Sequence, residues 1–147
     1  MRNIILFGGA FDPIHLGHLN MAKAASETLD AEVIFIPAKI SVWKNESAPI
    51  EDKIKMIELA IKDYGYNRFS LSRYEADSKS DINYSIDTVH HFKSIYPNDC
   101  LYLLHNCMLP LHNEIILHFR QLHNNFPKTV LACTNASHLR LPAVLQI

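Results

Sequence analysis

Three observations predict an α/β fold with a parallel sheet and helices on both faces. Short apolar runs alternate with helix-periodic segments along the chain, the pattern of successive right-handed β-α-β units. Turn-forming and chemistry-bearing residues directly follow the apolar runs, as expected where ligands sit at the carboxyl ends of parallel strands. The 147 residues are 48% hydrophobic and 20% charged, enough for one domain with a real core and too apolar for a disordered chain. The expected architecture is a single Rossmann-like domain spanning residues 1–147.

Each element has its own signal. Ile4–Phe7 is a short buried strand. Leu16–Leu29 reads as a helix, with Leu19, Ala22, Ala25 and Leu29 at three- and four-residue steps. Val33–Pro37 is a second strand, stopped by its proline, and residues 38–49 form a polar loop carrying Lys39, Lys44 and Pro49. Ile50–Tyr64 is helical: Ile54, Ile57 and Ile61 make one stripe, which Met56, Leu59 and Ala60 widen. Phe69–Tyr74 is strand-like, and residues 75–83 form a charged loop. Tyr84–Ile95 is a helix with Ile86, Val89, Phe92 and Ile95 turned inward. Leu101–Leu104 is a buried strand, Ile115–Leu122 a helix, and Thr129–Cys133 a final strand whose open edge suits a homodimer.

Composition narrows the function classes. A formal net charge of −1 gives no basic field for nucleic acid. No apolar run approaches the ~20 residues of a membrane span. Cys100, Cys107 and Cys133 are odd in number and lack a Cys-x-x-Cys pair, so free thiols in a reducing cytoplasm are expected. The amino terminus enters a strand at once, with no signal-peptide layout. His90, His91, His105, His112, His118 and His123 have no metal-ligand spacing; a five-residue step does not place two side chains squarely on one helix face. No protein-held metal is expected.

The densest chemistry lies in Gly8-Gly9-Ala10-Phe11-Asp12-Pro13-Ile14-His15-Leu16-Gly17-His18, directly after the first strand. Two glycines let backbone approach phosphate oxygens with no Cβ between. A helix start supplies N–H groups and partial positive charge to an anion. His15 and His18 share a helix face and can address one phosphate chain. Asp12-Pro13 is a turn and helix-entry signal, with Asp12 ordering the turn.

His15-Leu16-Gly17-His18 resembles the His-x-Gly-His signature of a nucleotidyltransferase superfamily. Within it, Gly-Gly-x-Phe-Asp-Pro-x-His over residues 8–15 resembles the bacterial nicotinate mononucleotide adenylyltransferases. Phe35-Ile36-Pro37 through Val42-Trp43-Lys44 is similar to that family's second-strand end and basic loop. Asn83-Tyr84-Ser85-Ile86-Asp87-Thr88-Val89 resembles its Ser-Tyr-Thr-x-Asp-Thr element. The likeness covers residues 1–104 and implies adenylyl transfer from ATP to nicotinate mononucleotide, giving nicotinate adenine dinucleotide and pyrophosphate in NAD synthesis. It implies that Gly8, Gly9, Ala10, Phe11, His15, His18 and Lys44 face ATP, with His15 and His18 catalytic and His18 nearest the α-phosphate. Lys44, Tyr84, Ser85, Asp87 and Thr88 would face the acceptor, Thr88 at the pyridine carboxylate, and Trp43 would cover the cleft or pack its loop. Mg²⁺ would bridge the ATP phosphates and keep most of its waters, with no carboxylate cage.

From His105 onward the chain departs from that family as divergent or truncated. His105-Asn106-Cys107 stands where a Gly-x-Asp element is expected, Glu114 where a stacking tryptophan is expected, and Ser137-His138-Leu139-Arg140 only weakly echoes a Ser-Ser/Thr-x-x-Arg element. Three alternatives stay open: a catalytically impaired nucleotide-binding module of the same fold, an adenylyltransferase for another phosphorylated acceptor, and a fragment related to class I aminoacyl-tRNA synthetases.

Overall fold

A computed structural model describes residues 1–39, 47–80, 83–106, 130–134 and 143–145. Its elements are β1 (Asn3–Gly9), α1 (Leu16–Leu29), β2 (Ala31–Pro37), α2 (Ile50–Tyr64), β3 (Phe69–Leu71), α3 (Ser85–Ile95), β4 (Cys100–Asn106), β5 (Val130–Thr134) and β6 (Ala143–Leu145). The six strands form one sheet in the order β3-β2-β1-β4-β5-β6. The first five are parallel, and β6 pairs antiparallel with β5. That order places β1 at the centre and reverses the winding between β1 and β4, the switch point at which doubly wound sheets bind ligands.

The two sheet faces carry separate cores. Ile5, Phe7, Val33 and Phe35 point to one face, where Leu19, Ala22 and Ala25 of α1 and Ile57 of α2 cover them. Ile4, Leu6, Ile34, Ile36, Leu101 and Leu103 point to the other, under Val89 and Phe92 of α3. Successive strand residues therefore enter opposite cores, which is why these strands read as continuous apolar runs rather than alternating ones. Burial on both faces is the main source of stability, at about 25 cal/mol per Å² of apolar surface removed from water.

Helix ends follow ordinary capping chemistry. α2 carries Glu51 and Asp52 in its first turn, where negative charge meets the positive end of the helix dipole. It stops at Gly65, whose φ of +68° is the left-handed cap that lacks a Cβ penalty, and the Gly65 N–H donates to the Ile61 carbonyl at 3.1 Å.

Several expectations are adjusted. α3 begins at Ser85 rather than Tyr84, which is the residue before the helix. β3 is three residues long; the chain then turns, and Glu75 and Ala76 are buried within what the sequence suggests is only a charged loop. Leu59 and Ile95 are exposed, not inward. Leu59 falls off the α2 stripe that Ile54, Ile57 and Ile61 follow, and on α3 the stripe passes through Phe92 to Tyr96 instead. The edge at 129–133 that favours a homodimer is occupied by β6, so that argument for self-association loses its ground. The helix expected over 115–122, Trp43, Lys44, Cys107, Glu114 and residues 137–140 lie outside the described residues.

Candidate active site

The Gly8-Gly9 turn closes the central strand. In register, Gly8 lies between Ile36 of β2 and His105 of β4, and Gly9 beside Pro37. The two glycines do different work. Among the described residues, a Cβ on Gly8 would meet nothing within 4 Å. A Cβ on Gly9 would sit 3.1 Å from the Phe11 ring, so the missing side chain there also makes room for that ring.

Phe11 is likewise a core residue. Its ring is buried and meets Phe7 edge-on at 5.2 Å, Phe35 at 5.6 Å and the His18 ring at 5.2 Å. Its φ is +45°, a region a phenylalanine occupies only at a cost of ~1–2 kcal/mol. Packing among three aromatic rings offsets that strain. The expectation that Phe11 faces ATP is therefore corrected for its side chain, which packs in the core. Ala10, between Gly9 and Phe11, is half-buried on the same turn.

His15 is the cap residue of α1, with extended backbone, and His18 lies one turn on. Their ring centroids are 3.8 Å apart and tilted by 32°, so the pair predicted to share a face does so. The His15 N–H donates to Nδ1 of His18 at 3.3 Å. An accepting Nδ1 puts the proton of a neutral imidazole on Nε2. His18 is 8% exposed, and burial, with His15 as the second cause, pushes its pKa down to about 4. It is a neutral donor at physiological pH. Gly17 makes the arrangement possible, because a Cβ there would come within 2.9 Å of the His15 ring. The His18 N–H turns inward to the His15 carbonyl at 2.9 Å, while helix geometry leaves the N–H groups of Leu16 and Gly17 with no acceptor inside the helix. Oδ2 of Asp12 accepts the Ala48 N–H at 3.1 Å, tying the glycine turn to the approach to α2.

The second predicted group lies at the start of α3. The far end of that helix is near the amino ends of the strands, where Arg2 stacks over Tyr96 at 5.4 Å, so its first turn is at the carboxyl ends. Tyr84 is 60% exposed there, Ser85 opens the helix and Asp87 is exposed in the first turn. Thr88 departs from the expectation. It is 3% exposed, and its hydroxyl donates to Oε1 of Glu75 at 2.7 Å, so it supports the helix start rather than offering itself to a ligand. Burial raises the Glu75 pKa, and the Thr88 bond opposes that shift in part. The turn containing Glu75 reaches back to β2, since Nζ of Lys39 donates to the Ser78 carbonyl at 3.2 Å.

Sequence reasoning misses two residues. Glu75 carries no signal in a charged segment. Lys53 has one: with Ile50, Ile54 and Ile57 it completes the inward helical stripe, and a lysine in that stripe is anomalous. It is fully buried, and Nζ donates to the carbonyls of Ala38 at 3.1 Å and Lys39 at 3.4 Å. Among the described residues no three His, Cys, Asp or Glu side chains converge as metal ligands, and no helix is long and apolar enough to cross a membrane.

The sequence and the fold are similar to those of known proteins. The chain matches the family model described as cytidylyltransferase-like over residues 6–139. A curated Endomicrobium trichonymphae protein named "probable nicotinate-nucleotide adenylyltransferase" is 39% identical over 106 residues, 71% of this chain and 53% of that protein. A Carboxydothermus hydrogenoformans protein of the same name is 42% identical over 101 residues, 67% of this chain and 49% of that one. The chain spans about half the length of these relatives. The solved structure of a Plasmodium falciparum nicotinic acid mononucleotide adenylyltransferase, complexed with NaAD, superposes with a TM-score of 0.65 at 16% identity, covering 95% of this chain and 78% of that one, and shares the fold. On the match over residues 6–139, the chain belongs to the cytidylyltransferase-like family.

Proposed function

We propose that the chain transfers an adenylyl group from ATP to nicotinate mononucleotide, releasing pyrophosphate, as one α/β domain over residues 1–147 acting in the cytoplasm. One observation carries the reading: a neutral His18 with its proton on Nε2, its ring 3.8 Å from that of His15 and beside Phe7, the residue that precedes Gly8 in the central strand. Identities of 39% and 42% to proteins of that printed name support the substrate assignment.

The reaction requires no protein nucleophile. An acceptor phosphate oxygen attacks the α-phosphorus of ATP, a new P–O bond forms, and the bond to the β-phosphate oxygen breaks with its electron pair leaving on pyrophosphate. An attacking phosphate is already deprotonated at neutral pH, so no general base is needed. The work left to the protein is alignment and stabilisation of charge growing on phosphate oxygens. His18 donates to an α-phosphate oxygen without giving up its proton, and His15 donates on the same side. The glycine turn (Gly8, Gly9, Ala10 and the Phe11 backbone) lets the phosphate chain lie close. Mg²⁺ carried in on ATP would neutralise part of the phosphate charge; no described side chain is assigned to hold it. Tyr84, Ser85 and Asp87 line the acceptor side, Thr88 and Glu75 hold that helix start in place, and Lys44 adds a cation.

Pyrophosphate release with ATP, Mg²⁺ and a panel of acceptors tests the assignment. Release is expected with nicotinate mononucleotide, and not with phosphopantetheine or glycerol phosphate. Release with one of the latter alone would overturn the acceptor, and ATP binding with no release would mark an impaired nucleotide-binding module.

A further inference from the structure

A lysine inside the apolar stripe of α2 needs a reason. An isosteric apolar residue would avoid removing an ammonium from water, which is among the costliest forms of burial. Lys53 is nevertheless fully buried, flanked in the stripe by Ile54 and Ile57. Its ammonium donates to the carbonyls of Ala38 and Lys39. Those two residues lie just past Pro37, the last β2 residue in register with β1. The Ala38 N–H in turn donates to the Gly9 carbonyl at 2.9 Å. A continuous path of hydrogen bonds thus runs from the α2 core, through the end of β2, to the glycine turn.

We propose that Lys53 is a positioning residue for the phosphate site: it fixes the end of β2, and through Ala38 and Gly9 sets where the Gly8-Gly9 turn presents its backbone to ATP. The inference rests on the adenylyl-transfer reading above. A charged donor makes hydrogen bonds roughly twice as strong as neutral ones, and it serves two successive carbonyls that no single apolar residue could hold. Lys53 touches no reacting atom in this scheme.

The test compares K53M, K53Q and K53R with the wild-type chain. In K53M, KM for ATP should rise about ten-fold while KM for nicotinate mononucleotide moves by less than about two-fold, and the Ala38 amide should exchange its hydrogen faster than in the wild type. K53R keeps a charged donor and should recover most of the ATP affinity. A purely structural lysine predicts otherwise: K53M would melt earlier, yet its folded fraction would keep both KM values and the Ala38 protection, and that result would overturn the proposal. Should K53M fail to fold, K53Q decides, with a raised ATP KM supporting the proposal and wild-type constants contradicting it. Should the wild type bind ATP without turnover, the same comparison is made on ATP binding, where equal affinity in K53M overturns the proposal. A wild type that neither binds ATP nor releases pyrophosphate would overturn the adenylyl-transfer reading itself, and the proposal with it.

Discussion

At the scale of single residues, the buried Glu75–Thr88 pair shows how a predicted ligand contact becomes a structural one. The motif over residues 83–89 points Thr88 at a ligand, but it does not say that a carboxyl thirteen residues earlier folds against it. The consequence is measurable. E75Q retains an acceptor oxygen for the Thr88 hydroxyl and removes a carboxyl whose charged form burial disfavours. Its stability at pH 7 should equal or exceed that of the wild type in urea unfolding. T88V leaves Glu75 buried without its donor and should lose about 1–3 kcal/mol. A T88V chain as stable as the wild type would show that the pair contributes nothing. The residues legible from sequence were those whose chemistry is local: Gly8, His15 and His18 report themselves by spacing. Phe11, Glu75 and Lys53 did not, because their roles depend on rings and carbonyls brought in from β2 and from the Glu75 turn.

At the scale of elements, periodicity located α1 and α2 to the residue. The apolar positions of these helices repeat at the helical period, and their ends carry separate stop signals. Strand edges were less legible. β1, β2 and β4 extend one to two residues past their apolar runs at one end or both, since backbone pairing continues over polar and glycine residues. β6 is three residues long and carries no strand signal in the sequence. The start of α1 yields a sharper prediction. Gly17→Ala should leave stability unchanged or raise it by up to ~1 kcal/mol, because alanine is the better helix residue. The new Cβ would nonetheless push the exposed His15 ring from its place beside His18. Adenylyl transfer should fall at least ten-fold while the melting temperature holds. Full activity in G17A would show that the close pairing of the two rings is dispensable.

At the scale of the whole molecule, the chain order fixes the site before any side chain is considered. A central β1, with the sheet reversing beside it, puts Gly8, the start of α1 and the start of α3 at one end of the sheet. Molecular stability carries the signature of the same site. The folded-state pKa of His18, about 4, lies below its ordinary 6.5. The unfolded chain therefore takes up the proton first as pH falls. The stability His18 contributes is complete above about pH 6.5 and is lost as pH falls toward 4. The stability advantage of the wild type over H18Q should shrink by about 2–3 kcal/mol between pH 7 and pH 4, reduced somewhat by solvent screening at the site mouth. Comparing the two chains cancels the other titrating groups, Glu75 included. A gap that stays constant with pH would mean that His18 titrates normally.

The central claim is that His18 meets the reacting phosphate. Acceptor-dependent pyrophosphate release, measured for the wild type and for His18→Ala with ATP, Mg²⁺ and nicotinate mononucleotide, tests it most directly. Removing a donor that acts in the transition state should cost about 3–4 kcal/mol, or a loss of 10²–10³ in kcat. Release at the wild-type rate by a folded H18A chain would contradict the account.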